Sequence, residues 1–107
     1  MIYVGAPYTH EDKNVIEQRV SIITDYCAKE TLNGNIIFSP IVYGHSLLKD
    51  REIPGDYEFW KKFCIYFLNL SLELHVLMIP GWEKSTGLKD EIEIAKELGL
   101  EIKYIKI

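Results

Sequence analysis

Residues 74–107, LHVLMIPGWEKSTGLKDEIEIAKELGLEIKYIKI, decide the fold. They open with a strand, Leu74 to Pro80, in which His75 is the only strongly polar side chain. Pro80-Gly81 then breaks the strand. From about Leu88 the apolar residues change to helical spacing, with Leu88, Ile92, Ala95 and Leu98 on one face. Lys89, Asp90, Glu93, Lys96 and Glu97 point the other way, whereas Glu91 projects from the edge of the apolar face. EIKYIKI closes the chain as an alternating strand, expected at a sheet edge.

The same strand–helix alternation extends toward the N-terminus. MIYVG, residues 1–5, reads as a short buried strand broken by Ala6-Pro7. A helical pattern follows from about Glu11 to Leu32, with Ile16, Val20, Ile23 and Cys27 on one face. Asn33-Gly34 ends it, and residues 35–40 form a second buried strand. Residues 40–55 read as a loop holding Tyr43, Gly44, His45, Asp50, Arg51 and Pro54. A helix from about Asp56 to Leu70 is apolar nearly all round, from Phe59 and Trp60 to Phe67 and Leu70. The order β-α-β-α-β-α-β predicts one α/β domain over residues 1–107, a flavodoxin-like layered fold with a mostly parallel sheet of four or five strands. Ligands of such sheets bind beyond the carboxyl ends of the strands, where strand order reverses. Three loops should meet there: 5–10, 39–45 and 80–87.

Composition narrows the function. Lys and Arg total 12 against 16 Asp and Glu, a net charge of −4 that argues against binding a nucleic-acid polymer. A single small nucleotide held by local donors remains compatible with it. Cys27 and Cys64 are distant and form no CxxC, and the histidines do not cluster, so no metal or redox pair is indicated. No segment approaches the ~18 apolar residues of a membrane span, and the chain starts without a basic, cleavable leader, so a cytoplasmic protein is expected. A small domain cannot surround a helix that is apolar on every side, which points to a homodimer or higher homo-oligomer packed on residues 56–70.

The chemistry gathers around Glu91. It lies about one turn into its helix, where the dipole favours the ionised carboxylate. Ser85, Thr86 and Gly87 precede it with hydroxyls and free backbone N–H groups suited to a phosphate. A carboxylate so placed could reach the sugar of a nucleotide and attack its anomeric carbon. The plainer alternatives are a Glu that caps its own helix turn or pairs with an Arg or Lys, and a Ser and Thr that serve as N-caps. His45 could hydrogen-bond a ligand or brace its loop. His10 reads as a helix-start or surface residue, and His75 as a satisfied core histidine. Arg19, at the apolar edge of the first helix, could form an ion pair or meet a ligand anion. Tyr8 and Trp82 could stack on a base, Trp82 as a lid.

IYVGAPYTH, FSPIVYGHS and PGWEKSTGLKDEIEIA resemble the nucleoside 2-deoxyribosyltransferase-like superfamily over essentially the whole chain. The most specific part is the S-x-G-x-x-x-E motif at residues 85–91. The resemblance implies a flavodoxin-like fold, dimers or larger oligomers, and action on the N-glycosidic bond of nucleosides or nucleotides without a cofactor. It makes Glu91 the nucleophile, Tyr3 its neighbour, Ser85 a 5′-phosphate ligand and Gly87 part of the same cradle. Gly5, Pro7, Tyr8, Trp82 and His45 fall in the loops that would contact the substrate. One departure stands out: superfamily members carry a second acid in the helix before the third strand, and residues 59–72 contain none. Phe67 falls about where that Asp is expected, and His75 replaces a further Asp. Asp56 and Glu58 are the nearest substitutes.

Overall fold

The computed structural model describes all 107 residues. The chain runs β1 (Ile2–Gly5), α1 (Lys13–Leu32), β2 (Ile37–Phe38), α2 (Pro40–Leu48), α3 (Tyr57–Asn69), β3 (Glu73–Leu77), a 3₁₀ turn (Trp82–Lys84), α4 (Thr86–Glu97) and β4 (Glu101–Ile105). The four strands are all parallel in the order β2-β1-β3-β4, a flavodoxin-like sheet with helices on both faces. β4 is at the edge, as its alternating pattern predicts.

Side chains alternate across the strands and so divide the core into two layers. Tyr3, Leu74 and Val76 face α3 and α4, where they meet Cys64, Leu68, Leu88, Ile92 and Ala95. Val4, Leu77 and Ile79 face the opposite side and pack on Ile23 of α1, with Ile41 and Val42 of α2 against them. Burying each of these large aliphatic side chains stabilises the fold by about 1.5–3 kcal/mol. Every helix starts on a side-chain cap: Asp12, Ser39, Asp56 and Ser85 accept backbone N–H groups of Asn14, Val42, Phe59 and Leu88. No helix is long and apolar enough to cross a membrane.

Three expectations need correction. Residues 40–48 are helical, not loop: Ser39 caps α2 and Pro40 occupies its first turn, a favoured start. Trp60 packs over Gly44 within α2, its ring 3.7 Å from where a Cβ would stand, an ordinary contact distance. Leu98 does not belong to the inner face of α4; it caps the helix end and is 41% exposed. α3 buries Cys64 and Leu68, while Phe59 and Tyr66 are left 47% and 63% exposed. Elsewhere on α3, Phe67 stacks on Phe38 of β2 and Phe63 on Tyr43 of α2, while Tyr57 packs on α4.

Candidate functional site

β1 lies between β2 and β3, so the connections leaving its carboxyl end and that of β3 diverge to opposite faces. The crevice opens where such folds bind ligands. A cavity of about 820 Å³ occupies it. Its walls come from residues 6–10, Arg19 of α1, one face of α2 from Pro40 to Leu48, Tyr57, Trp60 and Cys64 of α3, and residues 80–91. The three loops grouped from sequence do converge.

Six of the nine expected site residues line this cavity: Pro7, Tyr8, His45, Ser85, Gly87 and Glu91. Tyr3 and Gly5 are beneath it. Tyr3 is completely buried and donates its hydroxyl to Glu91 Oε2. Gly5 serves close approach: a Cβ there would come within 2.8 Å of Leu88 Cδ1 and 4.0 Å of Glu91 Oε1. Trp82 is not brought to the cavity. The 3₁₀ turn directs its indole toward Tyr104 of β4, 5.8 Å between ring centres, so it cannot be the expected lid.

Glu91 sits deeper than its position at the edge of an apolar face implies, 6% exposed. Burial outweighs the helix dipole: loss of hydration pushes its pKa up to about 7, opposed in part by the Tyr3 hydroxyl. Tyr3 is itself raised well above the usual phenol value, by burial and then by Glu91, so it remains a donor.

Above Glu91, Ser85 Oγ accepts the Leu88 N–H at 3.3 Å and caps α4. Its own proton is left free to donate. The N–H groups of Thr86 and Gly87 fall in the first turn, which has no intrahelical acceptor for them. Gly87 also lets α3 close in, since a Cβ would stand 3.0 Å from the Tyr57 ring.

Arg19 pairs with no carboxylate, contrary to the ion pair considered from sequence. It is 8% exposed and lines the cavity. Nη1 donates to the carbonyls of Thr9 and Tyr8 at 3.0 and 3.4 Å, and Nη2 to that of Pro80 at 3.2 Å. The guanidinium thereby ties the loop after β1 to the loop after β3. Gly81, at φ +96°, permits this, because a Cβ would lie 2.7 Å from Nη2. The Nε–H is buried and has no partner.

Two histidines share one arrangement in different places. His45 bonds Tyr8 Oη through Nδ1 at 2.8 Å and Glu17 Oε1 through Nε2 at 2.9 Å. His75 bonds Tyr26 Oη at 2.7 Å and Glu73 Oε1 at 3.0 Å, in the layer against α1 and away from the cavity. His75 is therefore the satisfied core histidine expected of it. His10 braces the start of α1 by accepting the Asp12 N–H, and also lines the cavity.

Phe67 turns away from the site, and Cys64 is the α3 residue beside Glu91 and Tyr3. Burial, then the neighbouring Glu91, raises its thiol to about 12, so it is a neutral neighbour and not a second acid. Asp56 lines the cavity with its carboxylate engaged in capping α3, and Glu58 does not line it. Tyr57, Trp60 and Cys64 were missed from sequence as cavity residues. Their spacing, three and then four residues, marks one helix face and was the available signal. No three His, Cys, Asp or Glu side chains converge to hold a metal ion.

No curated protein matches the chain. The profile of one family, a domain of unknown function (DUF1937), matches residues 1–106. The chain therefore belongs to the DUF1937 family.

Proposed function

We propose that the chain cleaves the N-glycosidic bond of a nucleoside or nucleotide, or transfers its deoxyribosyl group, with Glu91 attacking C1′. The observation that carries this reading is the buried Glu91 carboxyl on the cavity wall, gripped by Tyr3 and one turn past the exposed N-terminus of α4. A carboxylate nucleophile suits an oxocarbenium-like centre, and a water-poor pocket strengthens its interaction with developing positive charge. The likeness of residues 85–91 to the deoxyribosyltransferase-like motif supports the same assignment.

Ser85 Oγ–H and the Gly87 N–H would hold a phosphate or sugar hydroxyl, with the Arg19 guanidinium supplying positive charge nearby. Tyr57 and Trp60, with Tyr8, offer the aromatic surface for a base that Trp82 was expected to provide. The chemistry calls for no metal or organic cofactor. Incubation with a panel of nucleosides and nucleoside monophosphates, followed by chromatography for free base, tests the reading. Release by wild type and its loss in Glu91→Gln support it; no release from any member refutes it.

One observation favours a second reading, binding or sequestration of a nucleotide-derived metabolite without turnover. A carboxyl raised to about 7 is largely protonated below neutral pH, where it donates to a ligand but cannot attack. Tight ligand binding without base release at pH 8 would select that reading.

We also infer that the exposed aromatic face of α3, with Phe59 and Tyr66, packs on a second copy of the chain. Two free thiols, Cys27 and Cys64, suit a reducing cytoplasm.

A further inference from the structure

A nucleophile on one wall of the cavity needs a proton donor for the departing base, and the one other carboxyl lining the cavity, that of Asp56, caps α3 through Oδ2. The donor can be sought among the other titratable side chains there. Glu17, His45 and Tyr8 form a continuous chain of hydrogen bonds that begins in solvent and ends in the cavity. The Glu17 side chain is 67% exposed, that of His45 19%, and Tyr8 lines the cavity.

The bonding fixes the tautomer. A carboxylate only accepts, so His45 Nε2 carries a proton toward Glu17. In neutral His45 the other nitrogen, Nδ1, must accept the Tyr8 proton. When His45 is cationic, Nδ1–H donates to Tyr8 Oη, and the phenol proton is released toward the cavity. Protonation of His45 thus switches Tyr8 from acceptor to donor where a substrate would lie. Arg19 holds the Tyr8 backbone carbonyl at 3.4 Å and keeps the loop in register with His45.

We propose that Tyr8 is the catalytic acid for the leaving base, with His45 and Glu17 as positioning residues that recharge it from solvent. The inference rests on N-glycosidic cleavage through Glu91. In the first half-reaction the Glu91 carboxylate forms a bond to C1′ and the C1′–N bond breaks. Its electron pair stays on the base nitrogen, which takes the Tyr8 proton, and Tyr8 recovers one from His45 Nδ1. In the second, water or an acceptor base attacks C1′, Glu91 departs as carboxylate, and the released proton returns through Tyr8 to His45. The Glu73–His75–Tyr26 chain repeats the connectivity away from the cavity and provides an internal control.

The leaving group supplies the test. Tyr8→Phe should slow base release from ordinary purine nucleotides by about 10²–10⁴-fold, yet by less than about tenfold from an N7-methylguanine nucleotide, whose cationic base departs without a proton. Tyr26→Phe, the same deletion on the far face, should change neither rate. Glu17→Gln takes the charge from the acceptor of His45 Nε2 and so weakens the outer link of the chain: base release from ordinary purine nucleotides should slow, and release from the N7-methylguanine nucleotide should not. The other ionisable side chains lining this part of the cavity, His10, Arg19 and Lys84, remain in all three variants. Equal slowing of both substrates by Tyr8→Phe, or unchanged release from ordinary purine nucleotides in Glu17→Gln, overturns the relay while leaving Glu91 as nucleophile. Absence of release from wild type overturns both.

Discussion

Replacing Glu91 by Gln should flatten the pH dependence of stability. The folded carboxyl holds its proton up to about pH 7, against the ordinary value of 4.5. A pKa raised in the folded state means that the contribution is fully present below about pH 4.5 and is lost as pH rises through about 7. The complete loss is about 3 kcal/mol at 1.36 kcal/mol per pH unit, and most of it falls between pH 5 and pH 8. The group is only 6% exposed, so solvent screening reduces this figure little. Against the typical 5–15 kcal/mol of a folded domain, that is a large fraction. Urea titrations at the two pH values should show the wild-type midpoint falling by roughly 1–3 M more than that of Glu91→Gln, for a slope of about 1–3 kcal/mol per molar. Wild-type and variant curves that run parallel from pH 5 to pH 8 would refute the burial argument.

Tyr3→Phe removes the donor to Glu91 and leaves a buried acceptor unpaired, costing about 1–3 kcal/mol, more above pH 7 than at pH 5. Because that bond lowers the Glu91 pKa, base release in the variant should also begin at higher pH; both are read from pH series of stability and rate. Gly81→Ala forces a Cβ into a left-handed backbone and to within 2.7 Å of Arg19 Nη2, so a loss of about 1–3 kcal/mol is expected in thermal or urea unfolding. Nucleoside monophosphate affinity should fall with it, since Arg19 joins the two loops of the site. Tyr66→Glu, on the exposed face of α3, should convert an oligomer to monomer in light scattering without altering the fold by circular dichroism. A wild type that is already monomeric at working concentration contradicts the α3 interface.

The parts of the fold that could be read from sequence were those whose burial was one-sided or complete. β1 is a continuous apolar run because both of its faces are covered, β3 is one from Leu74 to Leu77 apart from the bonded His75, and α4 shows its buried stripe at Leu88, Ile92 and Ala95. Glu91 was legible as a site residue because it interrupts that stripe at helical spacing. α2 was not, because Gly44 and His45 read as loop residues unless Trp60 and Tyr8 are known to pack beside them. The Ser39-Pro40 start was the local signal that outweighed them. Trp82 was misplaced because composition says nothing of the direction a 3₁₀ turn gives its side chain. Cys64 was undervalued because a lone thiol in an apolar helix has no sequence feature that separates core from cavity wall; only the approach of α3 to Tyr3 and Glu91 does so. Arg19 was noticed for its position, but its role depends on carbonyls supplied by two distant loops.

The central claim is that Glu91 forms a covalent bond to the sugar. Mass spectrometry of the acid-quenched protein after mixing with the panel of nucleosides and nucleoside monophosphates tests it most directly. The predicted result is a glycosyl adduct on the peptide containing Glu91, formed as free base appears and absent from Glu91→Gln. Base release that persists in Glu91→Gln with no adduct on that peptide would contradict the account.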